Sequence, residues 1–173
     1  MQFTLSCFHA FTLFDQQDGS PNHSDDAFIK ALKDAPHIRK GLSGEIQGPV
    51  DYEDEQYMCE RIMCRPTKKN EENTVRENGQ KWKKLNHKNL IKVVDTILRS
   101  PAVYIVLEYS PGDSVRDALD KCTEDLPMTE VLDWATQIAQ GISHLHENGI
   151  VHKNIKSTQS EFILQFITII RPI

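Results

Sequence analysis

The sequence has no excess of basic residues. It contains 20 Lys and Arg against 25 Asp and Glu, for a net charge of −5. Domains that bind nucleic acid usually carry a basic patch, so this composition gives no reason to expect a nucleic-acid partner. The hydrophobic share of 39% and the charged share of 26% are ordinary for a globular protein. A length of 173 residues favours one domain with a core over two complete domains.

Cysteine is scarce and scattered. The four cysteines (Cys7, Cys59, Cys64 and Cys122) form no C-x-x-C pair and have no histidines at a matching spacing. This pattern disfavours a zinc site and a disulfide framework, and it predicts a reducing compartment such as the cytoplasm. No metal ligands are predicted elsewhere, because His144 and His146 are two apart on a predicted helix and point to different faces.

Long hydrophobic runs are also missing. Residues 1–14 are apolar and aromatic, but they lack the basic start and the cleavage site of a signal peptide. Residues 162–173 are nearly all apolar but too short to span a bilayer, and their β-branched composition predicts a pair of strands. We therefore expect no membrane span. Residues 1–35 are predicted to be an extension and linker, with a short helix over residues 27–34.

Strands and one helix are predicted in the next part of the chain. Residues 38–62 indicate two or three strands, with the acidic run 51–55 as a hairpin tip. Residues 71–85 predict a helix that Gly79 weakens by about 1 kcal/mol relative to alanine. The apolar runs 90–95 and 103–109 predict two further strands, joined by a turn that contains Pro101.

The longest predicted helix covers residues 129–147. Its apolar residues recur at helical spacing and form one stripe, and Asn148-Gly149 is a typical helix end. The stripe consists of Val131, Leu132, Ala135, Ile138, Ala139, Ile142 and Leu145.

Directly after this helix, residues 150–159 read I-V-H-K-N-I-K-S-T-Q. This segment resembles the catalytic loop of eukaryotic protein kinases, H-R-D-L-K-x-x-N. His152 and Lys156 match that pattern, whereas Asn154 stands at the catalytic Asp and Gln159 at the metal-binding Asn. No Asp-Phe-Gly follows. The sequence of residues 134–146, taken together with this segment, is most similar to tyrosine-kinase-like kinases of the mixed-lineage group, which are MAP kinase kinase kinases.

The resemblance implies an α+β, protein kinase-like fold: an antiparallel-sheet N-lobe plus the first helices of a truncated helical C-lobe. The N-lobe would cover residues 36–107, the hinge residues 108–112 and the partial C-lobe residues 113–173. Leu107 would be the gatekeeper, followed by Glu108 and Tyr109 in the hinge. A helix starting near Ser114 would begin the C-lobe with a side-chain cap.

The resemblance also implies nucleotide-site positions in the N-lobe. Residues 42–50 can be aligned with the kinase glycine-rich loop, L-G-x-G-x-F-G-x-V, and Leu42, Gly48 and Val50 match this pattern. An ordinary turn between two strands explains the same residues. In the favoured register of the following strand, Met58 covers the adenine pocket and Glu60 replaces the phosphate-binding Lys. A register shifted by one residue would put Arg61 at that Lys instead.

The resemblance aligns the helix predicted over residues 71–85 with the regulatory helix of kinases. This helix is altered as well, because its Glu that pairs with the phosphate-binding Lys would fall at Asn78. These replacements predict a pseudokinase that acts in binding or scaffolding. Any ATP binding should be weak, and magnesium binding is disfavoured. His152 and Ile155 are then expected to be packing residues that hold the fold.

Two alternatives remain open: a fragment of an active serine/threonine kinase, and a non-enzymatic interaction domain. In either case the stripe of the long helix has no later C-lobe helices to cover it. It therefore predicts an exposed apolar surface for a protein partner.

Overall fold

The computed structural model describes residues 23–40, 44–65, 70–123, 125–152, 155, 157, 160–163 and 166–169. Within these residues the chain forms a five-stranded antiparallel sheet, four helices and a separate two-stranded hairpin. In chain order the elements are α1 His23–Leu32, β1 His37–Lys40, β2 Gly44–Tyr52, β3 Glu55–Met63, α2 Glu71–Lys83, β4 Val93–Arg99, β5 Ala102–Glu108, α3 Val115–Lys121, α4 Met128–Glu147, β6 Ser160–Ile163 and β7 Phe166–Ile169. The predicted α+β fold is confirmed.

The sheet has the strand order β1-β2-β3-β5-β4, and its central strand β3 is buried on both faces. Side chains alternate between the two faces of a strand. Tyr57 and Cys59 therefore pack under α1, in a cluster with Phe28. Met58 and Glu60 point to the opposite face, where Met58 packs in a cluster with Trp82 of α2. The middle of β3 thus contributes to the core on both faces, through Tyr57, Met58, Cys59 and Ile62.

Helix α1 covers the outer face of the sheet. Phe28 contacts Tyr52 and Tyr57 edge-on, with ring centroids 5.5 and 6.1 Å apart. This helix begins at His23, four residues before the predicted start, so part of the predicted linker is helical. The reason is electrostatic: Asp25 and Asp26 lie in the first turn, where a helix favours acidic groups. Arg99 reaches Asp26 at 2.8 Å and holds this turn against the sheet.

Helix α2 packs closely on the inner face of the sheet because it contains a glycine at the contact. A Cβ at Gly79 would lie 2.5 Å from Thr96 Oγ1 and 3.0 Å from Ile105 Cδ1. One turn later, Trp82 is 1% exposed and its indole N–H donates to Ile91 O at 2.9 Å. Gly79 lowers the intrinsic stability of the helix, but it permits this close approach.

Two predicted turns are confirmed and one strand is displaced. Glu53 and Asp54 join β2 to β3 at the predicted acidic tip, and Ser100-Pro101 joins β4 to β5. The strand predicted over residues 90–95 instead runs from Val93 to Arg99. Its predicted first residues are apolar for another reason: Leu90 and Ile91 are buried in a core cluster with Trp82 of α2 and Leu145 of α4. The predicted strand pair near the end of the chain is also confirmed, as β6 and β7.

The connection between α2 and β4 joins the sheet to α4. Asn89 Nδ2 donates to Gln137 Oε1 at 3.2 Å, and the rings of His87 and His144 stack with centroids 4.9 Å apart. Leu145 is fully buried in the same core cluster as Trp82. The sheet and the helical part are therefore held together by both polar and apolar contacts.

The stripe of α4 is covered only toward the end of that helix. Leu145 is fully buried and Ile138 and Ile142 are partly buried, whereas Val131 and Leu132 are 40% and 59% exposed. Met128, at the start of the helix, is 70% exposed. The first two turns of α4 thus present an apolar surface. None of the helices that the structure describes is long and apolar enough to cross a membrane.

We expect Gly79→Ala to destabilise the domain by about 1 to 3 kcal/mol, the usual cost of overpacking a core. Helix propensity alone predicts the opposite sign, because alanine is the better helix former by about 1 kcal/mol. Urea unfolding of the two proteins measures the difference. Thr96→Ala removes the nearest atom, so the same glycine substitution should cost less in that background. An increase in stability on Gly79→Ala would show that α2 does not pack this closely.

Candidate functional site

A front cleft lies between the first strands of the sheet and the segment that follows β5. Ile38 and Met58 line it from the sheet, and Tyr109, Ser110 and Asp117 line it from the other side. The cleft contains about 360 Å³. Met58 is 1% exposed, so the sheet side of the cleft is apolar, whereas Asp113 and Asp117 make the opposite side acidic.

The residues predicted as gatekeeper and hinge lie at the end of β5. Leu107 is buried and pairs with Met58 on one side and Val93 on the other. The Glu108 carboxylate accepts a hydrogen bond from Lys92 N at 2.9 Å, and Glu108 N donates to Lys92 O at 3.1 Å. Glu108 thus anchors the end of the strand. Tyr109, the next residue, is the first of this segment to line the cleft.

Helix α3 begins at the mouth of the cleft with the predicted side-chain cap. Asp117 N donates to Ser114 Oγ at 3.1 Å, and Ser114 N donates to Asp117 Oδ2 at 3.1 Å. This reciprocal arrangement is a capping box. It positions both side chains beside Asp113, whose carboxylate accepts from Lys121 Nζ at 2.7 Å.

Residues 44–50, most of the segment aligned with the glycine-rich loop, are strand rather than loop, so that alignment is wrong there. Gly44 to Val50 lie inside β2, whose residues pair with β3 on both sides of a bulge between Gln47 and Val50. Gly48 does line the front cleft, but Val50 packs on the opposite face under α1. Leu42 lies outside the described residues. The physical reason is that strand pairing continues through this segment, so it cannot form a loop over a nucleotide.

The connection between β1 and β2 consists of residues 41–43, so a glycine-rich loop would belong there. The pattern G-x-G-x-x-G-x-V then falls on residues 39–46, with Gly41 and Gly44 at the second and third glycines. Ile46 takes the place of the Val, and it pairs with Glu60 and packs beside Met58. Sequence reasoning missed this register. The spacing of Gly41, Gly44 and Ile46 could have indicated it.

A second space, the rear cavity, lies between α2 and the inner face of the sheet. It is a narrow space of about 30 Å³, enough for roughly one or two water molecules. Its lining includes Glu60, Val75, Asn78, Trp82, Ile105 and Leu107. Glu60 is 1% exposed. The structure therefore brings together Glu60 and Asn78, the two positions at which the sequence resemblance implied an altered Lys–Glu pair.

Arg61, the alternative in the shifted register, follows Glu60 directly and so points to the other face of the sheet. There it pairs with Glu45 and Tyr104 on the neighbouring strands. It does not line either space.

His152 follows α4 and is buried below Trp82. It is 1% exposed, and its ring meets Trp82 edge-on with centroids 6.4 Å apart. Burial lowers the pKa of His152 to about 4, so the ring is neutral at neutral pH. Ile155, expected to pack as well, is 53% exposed, so that expectation is wrong. Asn154, Lys156 and Gln159 lie outside the described residues.

We expect the buried His152 to make the domain less stable in mild acid. The unfolded chain protonates this ring near pH 6.5 and the folded chain only near pH 4. Its stability contribution is therefore present above pH 6.5 and is lost as the pH falls. Between about pH 7.5 and pH 5 the loss should be about 2 kcal/mol.

Denaturant unfolding at the two pH values measures this loss. His152→Phe keeps a ring against Trp82 and should remove that part of the pH dependence. His87, whose pKa is also lowered by burial and by His144, supplies a slope of the same sign in both proteins. His146→Gln is the exposed control. Equal pH dependence in wild type and His152→Phe would contradict a neutral buried ring.

Residues 33–159 match the family model described as the protein kinase domain. The chain is similar to a putative serine/threonine-protein kinase/receptor R826 of Acanthamoeba polyphaga mimivirus, with 38% identity over 84 residues, 47% of this chain and 5% of that protein. It is similar to mitogen-activated protein kinase kinase kinase mlk-1 of Caenorhabditis elegans, with 33% identity over 75 residues, 42% of this chain and 7% of that protein.

Serine/threonine-protein kinase STK11 of Homo sapiens is similar over a longer region. The two share 31% identity over 139 residues, which is 72% of this chain and 32% of that protein. The chain therefore spans at most 32% of the length of these three relatives.

Proposed function

Because the chain belongs to the protein kinase domain family, we propose that it is a kinase domain impaired in phosphoryl transfer that acts by binding other proteins. The observation that carries the proposal is the buried Glu60 on the inner face of β3. In the family this strand supplies the Lys that pairs with the nucleotide phosphates and with a Glu of the regulatory helix. Here the side chain is acidic, and Asn78 stands on the facing helix.

ATP, the nucleotide of the family, fits this chain only in part. The front cleft has apolar walls at Ile38 and Met58 that suit a flat base. Glu60 follows Met58 on the same face, about 7 Å farther along the strand. A carboxylate there replaces a positive charge by a negative one, a change of two units against a polyanion. Ile38 and Met58 therefore support weak base binding, and the acidic side chain two residues beyond Met58, in the rear cavity, disfavours the triphosphate.

The sequence of the catalytic loop supports the same proposal. Asn154 cannot accept a proton from a substrate hydroxyl, and a positioned general base contributes about 10²- to 10⁴-fold in rate. Gln159 replaces the magnesium-binding Asn. These deficits act on one transition state, so their effects are not summed.

The active alternative is a serine/threonine kinase, which the retained Lys156 and the names of the relatives favour. We also propose that the chain belongs to the mixed-lineage group of kinases. This assignment is supported by the sequence of residues 134–146 and by the similarity to mlk-1 over part of the chain.

A binding role is supported by the surface of α4. Met128, Val131 and Leu132 are exposed side by side on its first turns. An apolar surface of this kind on a soluble domain often marks a protein-binding site.

We expect no stabilisation of the wild-type chain by about 1 mM magnesium-ATP in a thermal unfolding experiment, because a ligand stabilises a protein only when the native state binds it. Restoring the family's charges with the double variant Glu60→Lys/Asn78→Glu should create ATP-dependent stabilisation. Arg61→Lys, which alters the neighbouring residue on the opposite face, is the matched control and should behave as wild type. Wild-type stabilisation equal to that of the double variant would contradict the assigned role of Glu60.

We also expect no autophosphorylation by the purified wild-type chain with either magnesium or manganese. Adding Asn154→Asp to the double variant restores the base, so any transfer should first become measurable in the triple variant. Incorporation of labelled phosphate is the measurement. Transfer by the wild-type chain that Asn154→Ala abolishes would establish the active alternative instead.

A further inference from the structure

The acidic run at the tip of the β2–β3 hairpin contains a tyrosine. Tyr52 is the last residue of β2, and Asp51, Glu53, Asp54 and Glu55 surround it in the chain. Glu53 and Asp54 form the two-residue turn, with φ of 51° and 64°, and both are exposed. Tyr52 is half-buried, so part of its surface is open. Exposed loop tips are the parts of a fold that other enzymes reach most readily.

The ring of Tyr52 is also a contact between the sheet and α1. It meets Phe28 edge-on with centroids 5.5 Å apart, and Phe28 covers Cys59 in the same core cluster. Burial, a hydrogen bond with Glu53 and the charge of Asp25 raise the pKa of the Tyr52 hydroxyl. The hydroxyl therefore lies beside acids of both the hairpin and α1, where a further negative charge would be repelled.

We propose that Tyr52 is a phosphorylation site for a separate tyrosine-specific protein kinase, and that its phosphate releases α1 from the outer face of the sheet. In this reaction the Tyr52 hydroxyl oxygen attacks the γ-phosphorus of ATP bound by that enzyme. The bond between this oxygen and phosphorus forms, the bond from the γ-phosphorus to ADP breaks, and the phenolic proton passes to solvent. The chain is the substrate here, so the inference does not depend on the proposed loss of phosphoryl transfer.

The surroundings of Tyr52 distinguish it from the other three tyrosines of the chain. The four acids within residues 51–55 favour an enzyme with a basic substrate cleft. Tyr57 is only 4% exposed, and its hydroxyl donates to Glu55 Oε2 at 2.9 Å. Tyr104 lies within β5, which has a strand on each side, and Tyr109 lines the front cleft. Tyr52 alone combines a hairpin tip with acidic neighbours.

A phosphate at Tyr52 would weaken the contacts that hold α1. It adds a charge of about −1.5 to −2 at neutral pH beside Glu53 and Asp25. Arg99 holds the first turn of α1 through Asp25 at 3.6 Å and Asp26 at 2.8 Å. Movement of Arg99 toward the phosphate would loosen that turn as well. Helix α1 precedes residues 33–159, the part that matches the kinase family, so we expect that part to stay folded.

Labelling with a tyrosine kinase that prefers acidic substrates tests the site. The full chain and a free peptide of residues 47–56, in which Tyr52 is the only tyrosine, are incubated with this enzyme and magnesium-ATP. Mass spectrometry should locate the phosphate at Tyr52 in both. Tyr52→Phe keeps a ring against Phe28 and should remain unmodified. Labelling of neither substrate, of the peptide alone, or of another tyrosine in preference to Tyr52 would overturn the proposal.

Alkylation by iodoacetamide, quantified at each cysteine by mass spectrometry, measures the release of α1. Cys59 lies under α1 and burial raises the pKa of its thiol, so it should react slowly in the unmodified chain. Phosphorylation should raise its rate about tenfold, as expected for loss of one aromatic contact. Cys64, buried in a different cluster, should keep its rate, and Tyr52→Phe should show no change at either cysteine. An unchanged rate at Cys59, or an equal rise at Cys64 through general unfolding, would overturn the proposal.

Discussion

The burial of Trp82 is the interaction on which the rest of this structure depends. Its indole N–H is bonded to Ile91 O, its ring contacts His152, and its neighbours in the core include Met58 of the sheet and Leu145 of α4. One side chain thus connects α2, the sheet and the helical part of the chain. Gly79, one turn earlier, brings α2 close enough to the sheet for these contacts to form. This packing, together with the ion pair between Lys83 Nζ and Asp95 Oδ1 at 3.5 Å, holds the helix in this position.

The alternation of side chains along β3 decides the chemistry of the site. Because successive residues face opposite sides, Glu60 and Met58 share the inner face while Arg61 is directed outward. A shift of one residue would have put a cation in the rear cavity and an acid outside. The strand thereby places an acidic side chain where the family resemblance implies the phosphate-binding Lys. This single register underlies the proposed loss of phosphoryl transfer.

Local signals in the sequence predicted much of the fold. The acidic tip between β2 and β3, the cap at Ser114 and the periodicity of α4 each depend on residues close in the chain, and the structure confirms all three. The errors came from contacts that are distant in sequence. The first turn of α1 is held to the sheet by Arg99, which is distant in the chain, and Leu90 and Ile91, expected in a strand, are buried in a core cluster with Trp82 and Leu145. The glycine pattern aligned with residues 42–50 falls largely inside β2, because the pairing of β2 with β3 joins residues that are distant in the chain.

The sequence by itself determined the family, through residues 134–159, and it determined which chemical groups differ from the family pattern. Residue identity at a motif position is a local property, and folding is not needed to read it. Only the tertiary structure decided that Glu60 and Asn78 line one cavity, that Val50 lies on the far face, and that Gly79 is a close contact rather than a weakness. Those facts arise from strand register and from the packing of α2 on the sheet, which join residues far apart in the chain.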